Sequence, residues 1–203
     1  MNIQLSDHFN YKKLFLFTLP SVVMMVFTSV YCVVDGFFVS NFAGKTAFAA
    51  INLIMPFIMI LGGIGFMIGT GGSALVSYTL GTGDKEKANR YFSMMVYFTI
   101  LAGILLTVLG IIFVRPMAEL FGADESMMDT CVLYGRIVIA FNAAFMLQNI
   151  FQSFFVVAEK PRLGLIVTIA AGVTNMVLDA LFVGVFKWGI VGAALATGIS
   201  QSI

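Results

Sequence analysis

Apolar residues run along this 203-residue chain in long blocks, separated by short polar stretches that carry most of its charge. A helix needs about 20 apolar residues to cross roughly 30 Å of hydrocarbon at about 1.5 Å per residue. On that rule the pattern predicts five complete spans, at about Leu14 to Ser40, Ala47 to Leu80, Tyr91 to Val114, Thr130 to Ala158 and Leu163 to Phe186. A sixth apolar stretch, Gly189 to Ile203, reaches only about 22 Å at the helical rise and is expected to stop inside the bilayer. The expected fold is all-α: a polytopic membrane bundle of six transmembrane helices, the last truncated, within a longer protein. The second span is long enough that its inner end must tilt, break or project into water. The run after Lys13 continues through Val39 without a small-residue cleavage site, so it reads as a retained span rather than a leader peptide.

The connecting stretches orient this bundle. With the amino terminus in the cytoplasm, the inner segments hold Lys12, Lys13, Lys85, Lys87, Arg90, Lys160 and Arg162, and the outer ones only Lys45, Arg115 and Lys187, which is the positive-inside bias. Arg136 falls near the outer end of the fourth span, where it is expected to snorkel or to pair with a neighbour such as Asp129. The outer connection from Arg115 to Asp129 collects Glu119, Asp124, Glu125 and Asp129, and reads as a solvated loop with no binding role. The inner connection Gly81-Thr82-Gly83-Asp84-Lys85-Glu86-Lys87 has turn glycines, then an Asp suited to cap a short helix that includes Ala88 and Asn89.

Composition narrows the class. Hydrophobic residues make up 60% of the chain and charged ones 10%, with a mean hydropathy of +1.02, against soluble averages of about 45–50% apolar and about 25% charged. This is the composition of an integral membrane protein, and no nucleic-acid partner is expected. Cys32 and Cys131 lie in apolar surroundings without metal-ligand spacing and read as reduced packing residues. His8, in the polar amino-terminal segment, reads as a solvated surface residue. No nucleophile–base pair or metal-ligand cluster is visible, so neither an enzyme nor a bound cofactor is expected. Gly63-Ile-Gly65 lacks the spacing and the strand–turn–helix context of a dinucleotide site. Gly65-xxx-Gly69 is better read as a close helix-packing face. Pro20 and Pro56 sit inside spans, where each removes a backbone hydrogen bond and favours a kink or hinge.

The candidate chemistry rests on Asp35 and Asp179, the carboxylates placed deep inside apolar stretches. A carboxylate in hydrocarbon is costly and is usually kept to handle ions or protons. Counting from Asn41 and from Phe186 puts both about 10 Å beneath the outer surface, on helices that run in the same direction. Asn175 precedes Asp179 by one turn and shares its face, and Thr197 lies about 14 Å below the outer end of the sixth segment. Two carboxylates, an amide and a hydroxyl are therefore expected in one zone. Such hard oxygen ligands suit a small cation such as Na⁺, and two neighbouring desolvated carboxylates suit a shared proton. The competing reading has each carboxylate fasten helices by pairing with Arg136 or a helix-end donor, with Asn175 and Thr197 as interhelical hydrogen-bonding groups.

Four segments together resemble the amino-terminal half of the multidrug and toxic compound extrusion (MATE) transporters. They are Val34-Asp35-Gly36-Phe37-Phe38-Val39, Gly81-Thr82-Gly83-Asp84 with Ala88, Glu159-Lys160-Pro161-Arg162, and Asn175-Met176-Val177-Leu178-Asp179. The resemblance covers essentially the whole chain. It implies that residues 1–203 form one six-helix lobe of a two-lobe transporter in the prokaryotic plasma membrane, with the carboxy-terminal lobe as its missing partner. It further implies a cation site at Asp35, Asn175, Asp179 and Thr197, a first helix that bends at Pro20, and antiport in which H⁺ or Na⁺ enters as amphipathic, often cationic organic compounds leave. Two other functions fit less of the pattern. A flippase for a lipid-linked precursor is expected to line its cavity with basic residues for pyrophosphate, and the spans offer only Arg136. A non-transporting membrane scaffold would use the carboxylates and glycines only to hold helices together.

Overall fold

The computed structural model describes residues 10–203, so His8 lies outside the described residues. These residues form a helix bundle with no strand among them. Asn10 opens α1 (Tyr11–Phe38), its side-chain oxygen accepting from the Lys13 N–H at 2.8 Å. α1 then widens into a π-helical turn, Val39–Ala43. α2 (Lys45–Gly81) follows Gly44, whose φ of 94° lets the chain reverse. Gly83, at φ 87°, sets Asp84 to cap α3 (Lys85–Leu120) through the Lys87 N–H at 3.0 Å. Asp84 was expected to cap a short separate helix; it caps the long α3 itself, because apolar residues from Tyr91 onward continue the same helix.

The predicted loop from Arg115 to Asp129 is corrected in the same way. α3 runs past Pro116 to Leu120, and Arg115 and Glu119 form an exposed i,i+4 pair at 3.6 Å along it. Proline removes one hydrogen bond, yet the next turn buries Ala118 completely in the core, and the helix persists. The connection shrinks to Phe121–Asp124. There the Ser126 hydroxyl, donating at 2.7 Å, holds the Asp124 carboxyl below the usual carboxylate range, and Asp124 caps α4 through the Met127 N–H.

The fourth predicted span is broken. α4 (Glu125–Ala140) and α5 (Asn142–Val157) meet at 51° across Phe141, whose backbone leaves the helical region at φ −94°, ψ 4°. α6 (Pro161–Asp179) starts with Pro161 in its first turn and ends in a second π-helical turn, Ala180–Val185. α7 (Gly189–Ser200) closes the chain. Four stretches are long and apolar enough to cross a membrane: Tyr11–Ala43, Lys45–Gly81, Lys85–Leu120 and Pro161–Val185; the bent α4–α5 pair makes five if taken as one span. α7 is a shorter apolar helix of 12 residues, so the expected count of six holds only as five spans plus this piece.

Packing follows the glycines. α2 lies against α5, α3 and α4. A Cβ on Gly65 would fall 2.6 Å from the Met146 Cα of α5, and one on Gly69 would fall 3.1 Å from the Asn149 carbonyl oxygen, so the two backbones touch where the Gly65-xxx-Gly69 pattern predicted a close face. One core cluster, with Ile54, Ile58, Val114, Ile139 and Val183, fills the half of the bundle nearer the α1–α2, α3–α4 and α6–α7 connections. That end is the one the charge bias predicts to face outward, and it is called outer below. A smaller cluster of Val76, Ala88, Ile150 and Phe154 fills the other half. α1 packs chiefly on α6 and contributes no buried residue from its α-helical stretch.

Candidate ion-binding site

Two helices bring two carboxylates together. α1 and α6 lie side by side in the same direction, and Asp35 and Asp179 each stand close to the point where their helix widens into a π turn. π turns add one residue per turn and recur at functional sites; here the two wide turns touch each other. The Asp35 and Asp179 carboxyl groups lie within hydrogen-bonding reach of one another. Asp179 is wholly buried, and Asp35 is half-buried. Asp35 Oδ1 and both Asp179 oxygens are shielded from solvent, and none receives a donor from the described residues. Neither carboxylate meets an arginine or lysine among the described residues, so the reading in which each fastens helices through Arg136 fails geometrically. Arg136 is exposed on α4.

Asn175 occupies the next turn of α6, 2% exposed, with its carbonyl oxygen also unpartnered. Thr197, on α7, enters through a residue the sequence did not single out. Tyr134 of α4 is 1% exposed, its hydroxyl reaches the Thr197 side chain, and it lies within electrostatic range of both Asp35 and Asp179. Asp35, Asp179, Tyr134 and Thr197 thus come from α1, α6, α4 and α7, with Asn175 one turn away. Pro20 lies fifteen residues before Asp35, inside an α1 that stays helical on both sides of it.

One cavity adjoins this centre and a second lies further in. One, about 520 Å³, opens between α1 and α2 beside Asp35 and is lined also by Ser40, Asn52 and Cys32. Cys32 is exposed there, which corrects its reading as a packing residue; Cys131 is buried, its thiol donating to the Ala50 carbonyl at 3.4 Å. The other, about 270 Å³, lies toward the inner half between α5, α6 and the end of α7. Phe151 and Phe155 supply flat apolar surface to it, and Gln148, Gln152, Thr168 and Gln201 supply polar groups. Gln152 donates to Thr168 Oγ1 at 3.3 Å and to the Met24 sulfur of α1 at 3.2 Å. The amides Gln148 and Gln152 stand at i and i+4 inside an apolar run, a pattern legible in the sequence itself.

Comparison with known proteins places this arrangement. The MatE family model matches residues 20–181. The multidrug export protein MepA of Staphylococcus saprophyticus is 25% identical over 95% of this chain and 43% of its own length, and MepA of Staphylococcus haemolyticus is 24% identical over the same shares. Among solved structures, an outward-facing multidrug resistance MATE family transporter superposes with a TM-score of 0.87 at 23% identity, over 94% of this chain and 42% of that one. A MOP superfamily transporter from Pyrococcus furiosus, described as having a binding pocket of reversed polarity, gives the same values. The chain therefore spans less than half the length of the relatives it matches. With the family model extending across most of its helices, the chain belongs to the MatE family of multidrug and toxic compound extrusion proteins.

Proposed function

We propose that this chain forms the amino-terminal lobe of an exporter that couples the entry of H⁺ or Na⁺ to the exit of amphipathic, cationic organic compounds. Asp35, Asn175, Asp179 and Thr197 bind the coupling ion, and Tyr134 holds the Thr197 hydroxyl in place. The observation that carries this reading is the facing carboxylate pair with three buried oxygens and no donor. A proton between the carboxyls, or a small cation ligated by their oxygens, supplies what the protein does not. The organic compound occupies the cavity of about 270 Å³, close to the lower bound of about 300 Å³ for ligand pockets, with aromatic walls and a few polar groups to orient it. The second lobe completes that cavity and gives the two sides between which access alternates. The protein sits in the prokaryotic plasma membrane with its amino terminus in the cytoplasm, in line with the bias of lysine and arginine. A lipid-precursor flippase is disfavoured because Arg136, the cation set within the predicted fourth span, is exposed on the far side of α4 from the site.

Coupling requires that the ion bind one conformation better than the other. An ion held by Asp35 and Asp179 at once is bound well only while α1 rests against α6, so its arrival favours that arrangement and its loss releases it. The test is Asp179→Asn in the full-length protein, assayed by efflux of a fluorescent organic cation from vesicles under an imposed H⁺ or Na⁺ gradient. Gradient-driven efflux is expected to fall to background with membrane insertion at the wild-type level; unchanged efflux removes the reading.

A further inference from the structure

Arg136 stands apart from everything the proposed transport uses. It is exposed, and among the described residues it has no carboxylate and no hydrogen-bond partner. Asp129, the neighbour expected to pair with it, sits seven residues earlier on the same exposed stripe of α4, about 10 Å along the axis and out of reach. Tyr134 and Arg136 are two residues apart, which on a helix places them on nearly opposite sides. Tyr134 faces the carboxylates, so Arg136 faces away from them, about 16 Å along α4 from its outer end at Glu125 and about 9 Å below Thr130, where the apolar stretch begins.

The surroundings at that level are lipid-facing. Gly135 packs against Val114, and Gly110 against Ile139, which fixes the register of α3 on α4 and sets Phe113 level with Arg136, while Ile112, two residues from both Gly110 and Val114, faces away from α4. Ile112 is 61% exposed, Phe113 51%, and Leu133, one turn from Arg136 on its own helix, 44%. An unpaired guanidinium beside an exposed leucine, within an apolar span, is costly in hydrocarbon unless an anion comes to it. The long arginine stem lies along apolar surface while its head reaches toward the interface, where the anions of a bilayer are lipid phosphates. The planar guanidinium fork matches a phosphate in two-point hydrogen bonding.

We propose that Arg136, with the exposed face of α4 around Leu133, is a binding site for the phosphate of an anionic phospholipid of the outer leaflet. The test uses the full-length protein in phosphatidylcholine nanodiscs, with phosphatidylglycerol titrated in and retained lipid counted by native mass spectrometry. Wild type is expected to retain phosphatidylglycerol in preference to phosphatidylcholine, and Arg136→Gln is expected to weaken that preference about tenfold or more, the loss appropriate to a charge-assisted hydrogen bond. Should Arg136→Gln fail to fold, a photoactivatable phosphatidylglycerol on the wild-type protein replaces it, and labelling is expected on the peptide containing Leu133 and Arg136. No lipid preference in wild type, a preference that survives in Arg136→Gln, or labelling confined to other helices overturns the proposal. A carboxylate from the remainder of the protein as the true partner of Arg136 would give the second of these results.

Discussion

Asp35→Asn separates an ion site from a structural strut. In the structure Asp35 Oδ1 and both Asp179 oxygens are buried acceptors facing one another without a donor. An ionised pair in that position combines like-charge repulsion with unmet hydrogen-bonding capacity, and each unmet buried group costs about 1–3 kcal/mol. Asparagine at position 35 keeps the shape, removes one charge and brings two N–H donors to the Asp179 carboxylate. One new hydrogen bond to a charged group contributes about 1.5–3 kcal/mol, partly offset by imperfect geometry, so a net gain of about 1–2 kcal/mol is expected. For a domain of about 150–250 residues, about 1 kcal/mol moves the melting midpoint by about 2–4 °C. Because the full-length relatives are more than twice as long as this chain, the expected rise is about 1–4 °C, measured on the full-length protein in detergent at pH 8 without Na⁺, alongside loss of ion-driven transport. Stability bought at the expense of activity is the signature of a site held in a strained state. A midpoint that falls by several degrees would show that the carboxylates fasten α1 to α6, and the ion-site argument would fail with it.

Two further substitutions probe the layers around this pair. Tyr134→Phe removes only the hydroxyl, buried within electrostatic range of Thr197, Asp35 and Asp179; losing that polar group, an effect of about 1 kcal/mol, is expected to weaken the coupling ion about fivefold, read as a shift in the ion concentration for half-maximal efflux, with the substrate's own half-saturation unchanged. Gly65→Leu drives a side chain into the Met146 backbone, where even a Cβ would fall at 2.6 Å, so a loss of about 3 kcal/mol or more is expected, at or above the upper end for overpacking and visible as poor expression and a lowered melting midpoint; wild-type stability would show that α2 and α5 do not meet there.

The sequence made some of this legible and hid the rest for identifiable reasons. Apolar runs marked the helices because hydrocarbon demands them, and counting 1.5 Å per residue from Asn41 and from Phe186 placed Asp35 and Asp179 at one level, where the structure has them within reach. Helix ends were less visible. Arg115-Pro116 looks like a stop, but Ala118 buries itself against the outer core and carries α3 on to Leu120. The break at Phe141 has no proline or glycine to announce it; the Phe141 ring packs directly on Gly198 of α7, so the bend is made by a helix 57 residues further along the chain. Tyr134 reads as an apolar packing residue until α1, α6 and α7 assemble around its hydroxyl. Cys32 looked buried because its neighbours are apolar, yet those neighbours include lipid-facing Val30 and Val33, 51% and 73% exposed.

The distribution of burial also names the helix whose position an ion would set. α2 has twelve buried residues and meshes with three helices, so shifting it would open the whole bundle. α1 has no buried residue in its α-helical stretch, and within this chain it rests mainly on α6. Moving α1 therefore disturbs little core packing, and the contacts at stake are those along the α1–α6 seam. Asp35 and Asp179 sit on that seam at its outer end, where both helices are already widened into π turns. When the two carboxyls are ionised, their repulsion acts on the weakest joint in the lobe; when one proton or cation lies between them, the same joint closes. A carboxylate pair at any seam of α2 would face a packed core that resists both states, which is a physical reason for the acids to lie on α1 and α6.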